Sequence, residues 1–296
     1  MTYDVVIIGG GAAGLSGAVA LGRARRSVLV IDGGEPRNAP AAGVHNYLTR
    51  DGMSPAALVA AGREEAAHYG VEFRSGQVGE VTGVAGDFRV GEVSARRIIV
   101  ASGARDILPD IPGLAERWGH TVLHCPYCHG WEAQDTAIGV IVTSASPMSA
   151  MKGLLWSQWT GDLLLFLNDT FTPDADQARQ LARRGVQTVA GKVEEVTDAG
   201  VRLAGGAVIP RDHLVVATRI EARVDFLAPL GLKPVEHATG MGTHLAVEDP
   251  SGRTAVPGVW AAGNVADPMA QVIGSAAAGL AAGAAVNVDL IMADVA

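Results

Sequence analysis

The opening of the chain constrains its fold more than any other stretch. Asp4 to Ile8 (DVVII) is a short apolar run rich in β-branched residues, the pattern of a strand buried in a parallel sheet. GGGAAG follows and sets Gly9, Gly11 and Gly14 at the G-x-G-x-x-G spacing, with Ala12 and Ala13 between the last two. The glycines run into a helical stretch, AAGLSGAVALGRAR, and a second apolar run, Ser27 to Ile31, ends at Asp32. Strand, glycine turn, helix, strand and acid in register form a dinucleotide-binding pattern; a glycine turn alone does not. Gly9 is expected to make the turn, Gly11 to admit a pyrophosphate against the backbone, and Gly14 to let helix pack on strand. The helix N-terminus at Ala12 and Ala13 receives the phosphates, and Asp32 accepts the ribose hydroxyls.

At 296 residues the chain has room for about two domains. Its 38 glycines show no G-X-Y period, so they point to tight turns and close backbone approaches, not to collagen. A net charge of −8 argues against a nucleic-acid partner, which needs a basic surface. The start, MTYDVVIIGG, has no basic segment of the kind that opens an export signal. Val272 to Val286 is nearly uncharged, but at 15 residues of mostly Ala and Gly it reads as a buried helix, not a membrane span. A soluble, cytoplasmic protein with no membrane partner is expected.

Both cysteines lie in His124-Cys125-Pro126-Tyr127-Cys128-His129-Gly130. C-x-x-C-H is also the c-type haem attachment motif, but that chemistry belongs to exported chains, and no export signal is read here. Zinc needs four ligands, and there is no second cysteine pair, so no metal site is expected. Glutaredoxins carry the same C-P-Y-C string, but near the start of a small fold. A redox-active dithiol is the remaining reading, since a disulfide closing so small a loop opens readily to an attacking thiolate.

Two distant segments bring in a family. Residues 98–105, IIVASGAR, resemble the A-T-G-x-R stretch of two-dinucleotide flavoproteins, and residues 254–265, TAVPGVWAAGNV, resemble their second flavin signature. Order, spacing and length are similar to those of low-molecular-weight thioredoxin reductases over nearly the whole chain. The resemblance implies an α/β protein of two Rossmann-like three-layer domains, homodimeric, with FAD as cofactor. The FAD domain would be discontinuous, 1–112 and 219–296, around an inserted CxxC-bearing domain, 113–218. It further implies cofactor contacts from Ala101, Gly103, Gly263 and Asn264, from Asn46 near the flavin, and from the Val78 backbone at the adenine. Gln271 and Val272 would start a helix whose N-terminus faces the flavin. Asn264 departs from the signature, which has Asp there; an amide can still hydrogen-bond a ribityl hydroxyl. Cys128 is implied to face the flavin and Cys125 to be the interchange thiol. His129 stands where those reductases carry an acid–base Asp, and His124 lies on the other flank. One of the two is expected to be catalytic, with His129 favoured.

The inserted domain lacks what a nicotinamide site needs. After AIGVIV (Ala137 to Val142), Thr143, Ala145 and Met148 replace the residues of a dinucleotide loop, and Ser146 and Pro147 read as a helix start. The next strand ends at Asn168-Asp169, not at an arginine cluster, and Arg179, Arg183 and Arg184 read as a solvated helix face. Flavin and dithiol without a nicotinamide site, together with the run His129, Gly130, Trp131, Glu132, resemble the dithiol oxidases of disulfide natural products of the gliotoxin, holomycin and romidepsin type. That resemblance implies oxidation of a small-molecule dithiol, with O2 reduced to H2O2. The alternative is a thioredoxin or related disulfide reductase fed by NADPH or by another donor such as ferredoxin, with a thioredoxin-like protein as partner. A flavin-binding sensor without turnover is a third class.

Overall fold

The computed structural model describes residues 2–146 and 148–296. The first part of the chain carries β1 (Thr2–Ile8), α1 (Ala12–Arg23), β2 (Val28–Asp32), α2 (Pro55–His68), β3 (Glu72–Ser75), β4 (Val81–Val84), β5 (Asp87–Val90), β6 (Val93–Val100) and β7 (Ala104–Ile107). The middle carries β8 (Val122–Leu123), α3 (Pro126–His129), β9 (Ile138–Ile141), α4 (Met148–Trp156), β10 (Leu163–Phe166), α5 (Ala175–Arg183), β11 (Gln187–Val189), β12 (Val193–Thr197), β13 (Gly200–Leu203), β14 (Val208–Ile209) and β15 (His213–Val216). The last part brings β16 (Arg219–Ala222), β17 (Pro234–Glu236), β18 (Thr243–Leu245), β19 (Val259–Ala261) and α6 (Val272–Asp294).

Two compact units result. The first takes the chain up to Ala39, then Asn46–Asp106 and Ile220–Ala296; the second takes Pro40–His45 and Ile107–Arg219. These divisions differ from the expected 112/113 and 218/219, and packing gives the reason. Leu108, Ile111 and Leu114 pack with Val122, Val193 and Val196 in the second unit. Pro40 closes over Gly119, where a Cβ would come within 2.5 Å of it.

In the first unit the sheet order is β3-β2-β1-β6-β5-β4, with β19 also on β6. β1 pairs in parallel with β2 and β6, and β19 extends the parallel set, while β5 and β4 run antiparallel. Alternate residues of β1 serve opposite faces. Val5 and Ile7 join Val30, Ile99 and Trp260 under the helices α1 and α6, while Val6 and Ile8 join Leu29, Phe88, Val224 and Leu245 on the other side. Both faces are covered, which is why these strands read as unbroken apolar runs.

The last helix is longer and less buried than its sequence suggests. It runs Val272–Asp294, 23 residues, long and apolar enough by length and composition to cross a membrane, with 28% of its most apolar window buried. Its buried stripe is Ser275, Gly279, Ala282, Gly283, Val286 and Leu290. The acids at its far end, which a count ending at Val286 omits, pair with arginines: Asp289 with Arg97, and Asp294 with Arg26 and Arg96. Small residues set the crossing with α1. A Cβ on Gly279 would lie 1.9 Å from the Ala13 carbonyl oxygen, and one on Gly283 2.9 Å from that of Gly17. Backbone cannot yield there as a flexible side chain could. Gly279→Ala is therefore expected to destabilise the protein by about 1–3 kcal/mol or more, read as a lowered denaturation midpoint. An unchanged midpoint would mean that the crossing tolerates separation.

The second unit repeats the layering. Its parallel sheet, β11-β10-β9-β15-β8, has α4 and α5 on one face through Ala150, Trp156 and Leu181. The three-stranded antiparallel sheet β12-β13-β14 covers the other face through Val193, Val196 and Val201. The α/β class with two such three-layer units is the observed architecture.

Candidate active site

In the first unit the loops at the carboxyl ends of β1, β2, β6 and β19 lie together, the place where open α/β sheets take nucleotides. Gly9 has φ +110°, and a Cβ there would stand 2.2 Å from the Ala101 carbonyl oxygen. Gly14 is closed against Gly9 in the same way, at 1.9 Å from its oxygen. Gly11 differs: a Cβ on it would meet nothing within 4 Å. Two glycines are thus required by packing, and the third leaves open space beside the first turn of α1. The first-turn amides, Ala12 and Ala13 among them, have no carbonyl a turn earlier to receive them. A phosphate in that space would meet donors, so these residues fit a dinucleotide. Asp32, at the end of β2, accepts the Gly10 amide at 3.0 Å through one carboxylate oxygen.

The remaining cofactor candidates divide by location. Ala101 and Gly103 follow β6, and Gly103 has φ +70° with open space around it. Gly263, φ +80°, lies against Ala13, whose Cβ would be 2.9 Å from a Cβ placed on the glycine. Asn264 points its amide NH2 back at the carbonyls of Asp267, Pro268 and Ala270. Gln271 is the N-cap residue of α6 without a side-chain cap bond, and Val272 is the first helical residue. Asn46 is an exposed left-handed residue whose amide donates to Asp51 at 2.9 Å. The Val78 side chain packs against the core beside β4 and β5. Sequence reasoning missed two arginines. Arg63 pairs with Asp32 at 3.6 Å and lies over the Phe73 ring, and Arg37 grips Asp106 through two 2.7 Å bonds. Neither belongs to a motif.

In the second unit the dithiol stands at the carboxyl end of β8, which pairs with β15. Cys125 is the N-cap of the single turn α3, with Pro126 at its first position, and Cys128 lies one turn on. The amides of Cys128 and His129 both donate to the Cys125 carbonyl at 3.2 Å, so the turn presents the two sulfurs side by side, 2.6 Å apart. Gly130 is required by packing, because Trp159 covers the turn and a Cβ would lie 2.7 Å from its ring. The His124 Nδ1 contacts the Val216 carbonyl at 3.1 Å. A carbonyl only accepts, so Nδ1 carries the proton and His124 is anchored to β15.

His129 differs from its neighbour. Both its ring nitrogens are buried without a hydrogen-bond partner among the described residues. Burial holds its imidazole below the usual histidine range, opposed by the Cys125 backbone, which lies near without meeting hydrogen-bond geometry, and by the charge of Glu132. A neutral ring with an uncommitted lone pair suits a base beside a thiol. Glu132 itself pairs with His45 at 3.3 Å.

The loop after β9 is hydrogen-bonded to itself. The Ser146 hydroxyl accepts the Met148 amide at 3.2 Å, the Ser146 carbonyl accepts that of Ser149, and the buried Ser149 hydroxyl donates to the Ser144 carbonyl at 2.8 Å. In a phosphate-binding loop such amides face the ligand. Pro147, expected at the helix start, lies outside the described residues. Across the strand ends, Asn168 donates to the Val142 carbonyl and accepts the Val193 amide, and Arg184 is spent on Ser157.

The profile of the pyridine nucleotide-disulphide oxidoreductase family matches residues 3–283. The chain is 31% identical to the thioredoxin reductase sirT of Leptosphaeria maculans, over 99% of this chain and 96% of that one. Among solved structures, it is 38% identical to an oxidoreductase from Agrobacterium tumefaciens, with a TM-score of 0.93 and 99% of each chain covered. It is also 44% identical to HlmI, with a TM-score of 0.89, over 99% of this chain and 94% of that one.

Proposed function

The chain belongs to the pyridine nucleotide-disulphide oxidoreductase family, among thioredoxin-reductase-like flavin enzymes acting on sulfur groups, and from that premise we propose that it is an FAD-dependent oxidase of a small-molecule dithiol. The observation that carries the reading is the presence in one unit of a half-buried dithiol turn and of a loop after β9 that is closed on itself. Bound FAD supplies a two-electron acceptor that O2 reoxidises with release of H2O2.

The cysteine pair starts as a disulfide. A substrate thiolate attacks Cys125 Sγ, the Cys125–Cys128 bond breaks, and Cys128 leaves as the thiolate. The second substrate thiol then attacks the substrate sulfur of the mixed disulfide, forming the product disulfide and releasing Cys125. The reduced pair then holds the two electrons and two protons that bound FAD would accept, so each substrate dithiol and one O2 would give one disulfide and one H2O2. Asp32 and the Gly9–Gly14 turn would hold the cofactor, and His129 takes the proton of the incoming thiol. The reverse reading, a disulfide reductase, is favoured by the thioredoxin reductase name that sirT carries. The two readings separate on which donor reduces the flavin.

The state of His129 sets the pH dependence. Its folded pKa is lowered, so the neutral base persists to a pH below the ordinary value of about 6.5. The acid limb of dithiol-driven flavin reduction is expected below that value. The unfolded chain takes up this proton first, so the same group costs stability as pH falls through about 6.5. His129→Ala is expected to slow flavin reduction by roughly 10²–10⁴-fold at neutral pH, with the loss shrinking in alkali, where substrate thiols ionise unaided. A loss that stays constant across stopped-flow measurements at several pH values would leave His129 a packing role.

A further inference from the structure

Asn264 carries more information than its place in a signature. The segment after β19 brings Gly263 against Ala13 at the start of α1, turns at Asp267–Ala270, and enters α6 at Gln271 and Val272. Three carbonyls of that turn converge on one side chain. The Asn264 NH2 lies 3.1 Å from the Asp267 oxygen, 3.4 Å from that of Pro268 and 2.9 Å from that of Ala270. Carbonyls only accept, so the group facing them has to be a donor, which also fixes the orientation of the amide. A carboxylate of the same shape would place an anion against three oxygens. A second donor reaches the turn from elsewhere in the unit: Arg37, held by Asp106 in a two-bond pair, gives a 3.2 Å bond to the Pro268 carbonyl.

We infer that Asn264 is a positioning residue for the cofactor, acting as the donor that ties the Ala13-facing end of this segment to the turn that launches α6. The inference rests on the FAD reading of the first unit. It gives the Asn264 NH2 a donor task that Asp could not perform, separate from any ribityl contact through Oδ1, for which Asp would serve as well as Asn. Arg37, held by Asp106, donates to the Pro268 carbonyl of the same turn, so the amide does not act alone.

The two roles predict opposite rankings. Apoprotein of the wild type, Asn264→Ala and Asn264→Asp would be titrated with FAD, and amide hydrogen exchange over residues 266–272 would be measured in the absence of FAD. A donor role makes Asp worse than Ala, because Ala leaves the carbonyls without this partner whereas Asp repels them. FAD affinity should fall in the order Asn, Ala, Asp, with Asn264→Asp roughly tenfold to a hundredfold weaker than wild type. Exchange in the turn should accelerate in the same order. Asn264→Asp binding FAD as tightly as Asn264→Ala, or more tightly, would overturn the inference, as would equal exchange in all three apoproteins. If wild-type apoprotein took up no FAD, the cofactor reading would fall, while the exchange order would still judge the brace.

Discussion

Mixed anaerobically with NADPH or NADH, the flavin-loaded protein is expected to stay yellow over many minutes. Mixed anaerobically with a small dithiol it should bleach, and air should restore the colour with release of H2O2. The contrast follows from positioning. Hydride transfer needs the nicotinamide held in near-attack contact with the flavin, and such positioning supplies roughly 7–11 kcal/mol of a barrier, about five to eight orders of magnitude in rate. The loop that would hold a pyrophosphate in the second unit has its Met148 and Ser149 amides bonded to Ser146, and the Asn168 side chain bridges Val142 and Val193 where a ligand would enter. A dithiol needs no such loop, because it enters by exchange at Cys125. Rapid bleaching by micromolar NADPH would replace the oxidase reading with the reductase. Bleaching by neither donor would point to a protein donor, and the small-molecule reading would fall.

Either cysteine changed to serine should lower dithiol turnover by roughly a thousandfold or more, because nucleophile and leaving group act as one unit. The two variants should nevertheless fail differently. Cys128→Ser retains Cys125 and should accumulate a mixed disulfide when offered an activated disulfide probe, visible by mass. Cys125→Ser should trap little of the same probe, since Cys128 is assigned the inner role. Trapping equal at both positions would remove the division of labour, and a single variant with full oxidase activity would remove the relay altogether. Both assignments depend on the turn Pro126–His129, which presents the sulfurs together, and on Gly130, which lets Trp159 close over it.

Much of the glycine-turn geometry at the candidate cofactor site is legible from residue order alone. Gly9, Gly11 and Gly14 announce themselves because each meets a backbone requirement: a positive φ, an open approach, a contact too close for any Cβ. Those requirements act over a handful of residues, so they leave a fixed spacing in the chain. Cys125 and Cys128 are legible for the same reason, since one helical turn brings their sulfurs together. The apolar strands are legible because burial on both faces leaves uninterrupted runs.

What tertiary structure decided lies between residues far apart in sequence, where no period or spacing records the contact. Arg37 meets Pro268, Arg63 meets Asp32, and Pro40 closes over Gly119. The far end of α6 meets two arginines in the middle of β6 and one just after α1, which pair with its terminal acids. Asn264 shows the difference within a single residue. By sequence it is an exception in a signature, read as a hydrogen-bonding partner of a ribityl hydroxyl without the charge. In the fold it faces three carbonyls, and only the direction of those dipoles, set by a turn that closes in space, makes it a donor.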